Sequence, residues 1–274
     1  MISFETEAKL LSILKEDIGS GDITSAITPA AECTAQIKTN EACTLAGIEE
    51  IAFLFKSAGL TVHTHKKDGE IAKKGQKILE VHGSNRKILS YERVCLNILG
   101  RMCGVATMCA KAKTIAQKET IAVTRKTVPG FQSLDKKAAE IAGCWTHRKN
   151  LAEMILLKDN HLKFFSGAGA AAQRAKESGK DYEIEVENES DALEVARHSP
   201  HIIMLDNFSP ENAKKTIKKL RKEGYGGKIE LSGGISFSNL KKYTGLGADI
   251  ISMGALTKTA KIVDFSMDIM TVKK

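Results

Sequence analysis

The chain has 274 residues, 42% of them hydrophobic, with 41 Lys and Arg against 33 Asp and Glu for a net charge of +8. That length allows one large domain or two moderate ones, and the composition excludes a fibrous or disordered chain. Aromatic residues make up 5% and do not interleave with basic ones, which excludes a stacking platform for single-stranded nucleic acid, and no apolar run approaches the roughly 20 residues of a membrane span.

The first stretch, MISFETEAKLLSILKED, mixes acidic with apolar residues and lacks the basic and apolar regions of a secretory signal. Cysteines 33, 43, 95, 103, 109 and 144 form no CxxC pair or regular framework, which points to reduced thiols and a cytoplasmic location. TLAGIEEIAFLFKSAGL contains an amphipathic helix, and THKKDGEIAKKGQKILEVHG reads as strands turning at Asp68-Gly69 and Gly75. His63 and His65 form an HxH pair with no carboxylate or cysteine at a supporting spacing, so a solvent-facing place on an alternating strand is expected rather than a metal site. SNRKILSYERVCLNILGRMCGVATMCAKAKTIAQ is helical, with breaks expected near Gly100 and Gly104. Residues 1–110 are therefore expected to form a smaller α/β domain. The alternating C-terminal IVDFSMDIM predicts a half-buried strand, so that 262–274 returns to that domain.

From residue 121 onward a unit recurs: a short apolar run, a polar cluster, then a helical pattern. The runs are IAVTRKT, MILLKDNH, EIEVEN, IIMLDN, KIELSGG and DIISMGA. Near-continuous apolar strands at this spacing predict parallel strands buried on both faces and joined by crossover helices. The helices are punctuated accordingly. Ser209 is a candidate N-cap, Pro210 fits the first helical position, and Ala213, Ile217 and Leu220 share one face until Gly224. Six such units predict an α/β chain whose residues 111–261 form a (β/α) barrel, an incomplete one, with its site where the strands end.

Those strand ends carry Arg125 and Lys126, His147 and Arg148 in the next loop, Lys158, Glu185, Asp206, Ser232-Gly233-Gly234 and Gly254-Ala255. Singly, each has a dull explanation as a solvated strand end or turn. In a barrel they converge on one mouth, where so many cations repel one another unless a multiply anionic ligand joins them. Arginine forks suit carboxylate or phosphate, and the small residues on the last two strands expose backbone N–H groups to a phosphate. Glu185 and Asp206, lying between, suit sugar hydroxyls, Mg2+ or a developing positive charge.

The motifs TRKTVPG, HRKNLAEMILLKDNH, EIEVEN, IIMLDNFSPEN, ELSGGIS and ISMGALT, in this order, with EDIGSGDIT and YERVCLNILGRMCGVAT before them, resemble the quinolinate phosphoribosyltransferase family, the carboxylating nicotinate-nucleotide pyrophosphorylases. The resemblance covers nearly the whole chain. It implies an N-terminal open-faced α/β sandwich, an incomplete (β/α) barrel, and a homodimer or larger assembly in which one subunit's N-terminal domain caps the other's barrel. It also implies the conversion of quinolinate and 5-phosphoribosyl-1-diphosphate (PRPP) to nicotinate mononucleotide, diphosphate and CO2 with Mg2+, the metal being held through PRPP near Glu185 and Asp206. Carried over by motif, Arg93 reaches the partner's site and joins Arg125, His147 and Arg148 around the quinolinate carboxylates. Lys126 and Lys158 fall in the substrate and diphosphate region, Glu185 and Asp206 at the ribose, and Ser232, Gly233, Gly254 and Ala255 at the 5′-phosphate; Lys126, Lys158, Glu185 and Asp206 are the expected catalytic residues.

Four positions depart from the family pattern: Cys144 for a glycine, Thr146 for an asparagine, Asn150 for a glycine and Lys258 for a histidine. Rival expectations are a molybdenum-transport-associated homologue, a nicotinate phosphoribosyltransferase, and a non-catalytic anion or nucleic-acid binder. Neither nucleic acid nor membrane is expected as a partner.

Overall fold

The computed structural model describes residues 2–273. In chain order its elements begin with α1 (Phe4–Ile18), α2 (Ile23–Ile27), β1 (Glu32–Thr39), β2 (Cys43–Thr44), α3 (Ile48–Ser57), β3 (Thr61–Thr64), β4 (Ile71–Ala72), β5 (Lys77–Ser84) and α4 (Asn85–Ile115). There follow β6 (Thr120–Ala122), α5 (Gln132–Ile141), β7 (Ile155–Leu157), α6 (Asp159–Leu162), α7 (Ala168–Glu177), β8 (Tyr182–Val186) and α8 (Glu189–Ala196). The last are β9 (Ile202–Asp206), α9 (Pro210–Lys222), β10 (Lys228–Ser232), α10 (Leu240–Tyr243), β11 (Ile250–Ser252), α11 (Ala255–Lys258) and β12 (Phe265–Lys273). Two compact units result. The first takes residues up to Met108, Gly130–Gly143 and Ala260 onward, and the second takes Cys109–Pro129 and Cys144–Thr259.

The first unit is built on an antiparallel sheet in the order β12-β1-β5-β3. Strand β1 buries every second residue, Cys33, Ala35 and Ile37 among them, as a strand with one covered face must. The C-terminal strand returns to this sheet, β12 pairing antiparallel with β1 from Thr39↔Phe265 outward. His63 is exposed, and His65 Nε2 lies 3.2 Å from Glu80 on β5.

The breaks expected near Gly100 and Gly104 are absent: α4 is one helix of 31 residues. Both glycines serve close approach instead. A Cβ on Gly104 would sit 1.9 Å from the Lys261 carbonyl oxygen, and one on Gly100 2.6 Å from that of Val263, so the chain leading into β12 presses directly on the helix backbone. Among the described helices only α4 is long and apolar enough to cross a membrane, and 72% of that apolar window is buried in the protein. Helix α5 also belongs to this unit, where Arg101 and Asp135 form a buried two-pronged ion pair at 2.9 and 2.8 Å.

The second unit holds the six expected strands in a parallel sheet ordered β6-β11-β10-β9-β8-β7. Trp145 adds a one-residue parallel bridge to Ala122 on the outer edge of β6, and among the described residues no pairing joins that edge to β7. The sheet is an incomplete barrel. Ala122, Ile202 and Ile250 pack together with Trp145 and Met154 as an apolar plug. Ile202, Met204 and Asp206 alternate along β9, so one strand face runs from that plug to the C-terminal mouth. Helix α9 starts as its sequence signals: Ser209 Oγ accepts the Asn212 N–H, with Pro210 next to it.

Candidate active site

The strand ends of the second unit bring the expected residues into one ring, and neighbouring contacts can be followed around it. On β6 the chain leaves the sheet at Val123 and exposes Arg125 and Lys126, whose turn is fixed by Lys126 N–H donating to Thr124 Oγ1 at 3.1 Å and Thr257 Oγ1 donating to the Lys126 carbonyl at 2.9 Å. The Lys126 side chain lies across Gly254, where a Cβ would come within 3.0 Å of its Cδ. A side chain at that position would push the Lys126 side chain aside. Beyond it, Gly233 is left-handed at φ 83° and backs onto Asn207, whose backbone nitrogen would be 2.5 Å from an added Cβ. Asn207, itself left-handed, donates through its side chain to Asp206 at 2.6 Å and through its N–H to the Ser232 carbonyl at 3.0 Å.

Next along, Glu185 ends the inward face of β8 and forms an ion pair with Lys158 at the end of β7. Burial pushes the Glu185 carboxyl above its ordinary value, with Lys158 opposing and Asp206 reinforcing the shift. His161 accepts the Lys158 N–H on Nδ1 at 2.9 Å and so holds the first turn of α6, while Asp159 and Asn160 point outward. Lys158 is the member of its tetrapeptide that faces the other strand ends.

His147 and Arg148, each 8% exposed, complete the ring. Burial lowers the Arg148 pKa, the charge of Arg125 lowers it further, and Glu183 opposes both, which puts two guanidiniums and one carboxylate in each other's field. Arg148 also donates to the Met154 carbonyl at 3.3 Å. Neither Arg125 nor Lys126 has an ion-pair partner among the described residues. Two unmatched cations beside a buried arginine form one side of the mouth, glycines form the other, and Glu185 and Asp206 stand between.

Beneath this ring lies a cluster that motif reading did not single out. Glu183 and Glu230, both wholly buried, flank His147, whose Nε2 is 2.9 Å from Glu183 Oε2 and 3.4 Å from Glu230 Oε2. Each sits two residues before a ring residue on its strand, Glu183 before Glu185 and Glu230 before Ser232, and therefore on the same inward face. Two charged residues at inward positions of apolar strands were the available signal. Desolvation works against a charged imidazole here, while the carboxyls of Glu183 and Glu230 favour a proton on the Nε2 that faces them. The Arg148 N–H donates into His147 Nδ1 at 2.8 Å, which requires a lone pair there. In this geometry the ring carries its proton on Nε2, and the cluster's remaining proton resides on the carboxylates, in keeping with Glu183 pushed up to about 7 by burial and by Glu230. His147, Glu183 and Glu230 are also the group of metal-ligating side chains close enough to share an ion. Nδ1 accepting a hydrogen bond while Nε2 bound a metal would demand an imidazolate, which disfavours that use.

Arg93 lies on α4 in the first unit with its guanidinium largely exposed, 3.9 Å from Glu92. The departures from the family pattern are accommodated locally. Asn150 Oδ1 accepts the Ala152 N–H at 2.8 Å, Cys144 is buried against the Cys109 carbonyl, Thr146 is buried, and Lys258 is exposed.

Family models for the N-terminal and C-terminal domains of quinolinate phosphoribosyl transferase match residues 22–103 and 105–268. The chain belongs to the quinolinate phosphoribosyltransferase family. Within it, a protein of Methanocaldococcus jannaschii named "Probable nicotinate-nucleotide pyrophosphorylase [carboxylating]" is 40% identical over 276 residues, covering 94% of this chain and 96% of that one. The human nicotinate-nucleotide pyrophosphorylase (carboxylating) is 31% identical over 264 residues, 93% of this chain and 89% of its own. Among solved structures, NadC from Streptococcus pyogenes superposes with a TM-score of 0.93 at 33% identity, covering 100% of this chain and 99% of that one. The stretches from TRKTVPG to ISMGALT that resemble this family lie at or beside the strand ends of the second unit.

Proposed function

We propose that this protein is a quinolinate phosphoribosyltransferase that converts quinolinate and PRPP to nicotinate mononucleotide, diphosphate and CO2 in NAD biosynthesis. The observation that carries the reading is the division of the mouth into unmatched cations, carboxylates and a glycine cradle, in a chain of this family. Quinolinate has two carboxylates, and Arg125 and Arg148 offer them the cationic side, with His147 held behind the Arg148 backbone. Ser232, Gly233, Gly254 and Ala255 offer backbone N–H groups to the 5′-phosphate. Glu185 and Asp206, between the two, face the ribose.

This arrangement performs the chemistry by placement and charge. Lys126 and Lys158 draw negative charge away from the leaving diphosphate, and Glu185 and Asp206 stabilise the ribose carbon as it becomes cationic. The pyridine nitrogen then attacks that carbon without a covalent enzyme intermediate. The ring nitrogen is now cationic and stabilises the carbanion left on the ring carbon when the 2-carboxylate departs as CO2, and that carbon then takes a proton from water. Glu185 is engaged by Lys158 and Asp206 by Asn207, so the protein presents two carboxylates and no closed ligand cage, a donor set that suits Mg2+ held chiefly by diphosphate oxygens. When bound, Mg2+ would neutralise the diphosphate as it leaves.

The exposed Arg93 suits a homodimer in which it enters the neighbouring subunit's carboxylate site, and the reduced thiols suit a cytoplasmic enzyme. Steady-state kinetics with PRPP, Mg2+ and either quinolinate or nicotinate test the reading. Quinolinate is expected to be preferred at least about a hundredfold in kcat/KM, as when paired polar groups are left unmatched. Preference for nicotinate, or use of neither, would overturn it.

A further inference from the structure

Two buried glutamates with no role in the reaction sit directly beneath the mouth. None of the four oxygens of Glu183 and Glu230, nor the His147 Nε2 between them, has a well-directed hydrogen bond among the described residues, although Nε2 lies 2.9 and 3.4 Å from one oxygen of each. Such groups are costly to bury and are replaced without loss by apolar residues when they serve packing alone. The polar side chain that lies against both is His147, a non-glycine residue in the left-handed region at φ 53°. Its other ring nitrogen accepts the backbone N–H of Arg148 at 2.8 Å. Both ring nitrogens thus face polar groups inside the protein. A chain of contacts runs from the carboxylates through the imidazole to the peptide that carries Arg148 toward Arg125.

We infer that Glu183 and Glu230 are positioning residues: they accept His147 Nε2–H, hold its ring and strained backbone in place, and so aim Arg148 at a substrate carboxylate. The inference rests on the reading of this mouth as a quinolinate site. A non-glycine residue held left-handed needs surrounding structure that over-determines it, and the two carboxylates supply that from below. An orienting partner behind a binding group is typically worth one to two orders of magnitude in affinity.

Substituting Glu183 by Leu and by Gln separates positioning from charge. Above pH 7, where Glu183 is ionised, removing its negative charge from under a dianion site should by itself tighten quinolinate binding in both variants. Positioning predicts instead that Glu183→Leu raises the KM for quinolinate by about tenfold or more and leaves that for PRPP within about twofold, while Glu183→Gln, which keeps an acceptor for Nε2–H, stays near wild type. Glu230→Leu and Glu230→Gln should behave in the same sense. A KM for quinolinate that falls or holds in the Leu variants, or KM values for both substrates that rise together, would overturn the inference. On the wild-type protein, nitrogen NMR of labelled histidine, assigned with His147→Gln, reads the tautomer even if a variant fails to fold. The Nε2–H form with an accepting Nδ1 is expected; an imidazolium, an Nδ1–H tautomer, or one tightly bound transition metal per chain by elemental analysis contradicts it. Wild-type protein that uses nicotinate in place of quinolinate would sink the functional reading while the tautomer still decides the cluster's role. Quinolinate turnover with an unresponsive KM in the Leu variants would sink the inference alone.

Discussion

Lys158 decides between two neighbours that differ only in what surrounds them. It is half-exposed and pairs with Glu185, so its loss removes little packing but leaves the centre of the mouth without a cation. Lys158→Ala is expected to lower kcat by about a hundredfold or more, while unfolding free energy falls by about 1–3 kcal/mol, because the side chain packs little but leaves the buried Glu185 carboxyl unpaired. Denaturant titration beside turnover checks both halves, and a large stability loss with little effect on rate would make Lys158 structural. Deeper in the same interior, the folded protein keeps Glu183 protonated to about 7, whereas the unfolded chain releases that proton near 4.5. Between those values the native state binds more protons, so stability falls as pH rises from 4.5 through 7. Thermal unfolding at pH 5 and pH 8 should therefore show wild type losing more than Glu183→Gln; parallel losses would contradict the assignment. Lys158 and Glu185 were readable as strand-end residues. Glu183 and Glu230 were equally visible as letters, but their meaning depended on which strand face turns inward and on His147 arriving from a separate loop.

At the scale of elements, the apolar runs and their helix punctuation were legible because both are local: Ser209 and Pro210 cap α9, and each of the six runs lies in the parallel sheet. Helix α4 shows the limit. Gly100 and Gly104 read as breakers because glycine is a poor helix former, and the segment that makes them necessary lies more than 150 residues further on. On an exposed helix face Gly104→Ala would stabilise by about 1 kcal/mol, but here the added carbon meets a backbone oxygen that cannot swing away, and a loss of about 1–3 kcal/mol is expected. Chemical denaturation of that variant distinguishes the two signs. The same dependence on distant partners applies to α5, which sequence order places between strands of the parallel sheet. Its Asp135 and Lys137 instead pair with Arg101, Glu49 and Glu50 of the first unit.

Across the whole molecule, the chain uses one unit to supply a six-stranded parallel scaffold and returns its last strand to the other unit's antiparallel sheet. Cations, carboxylates and glycines come from six strand ends and one loop, so no short segment contains the site. On the proposed reading they serve a single ligand set with two carboxylates, a ribose able to carry positive charge, and a phosphate. The most direct test supplies quinolinate labelled with carbon-13 in its 2-carboxylate, together with PRPP and Mg2+, and follows both the label and the nucleotide. Equal amounts of labelled CO2 and nicotinate mononucleotide, formed only when PRPP is present, are predicted. Nucleotide that retains the label, or CO2 released without PRPP, would contradict the account.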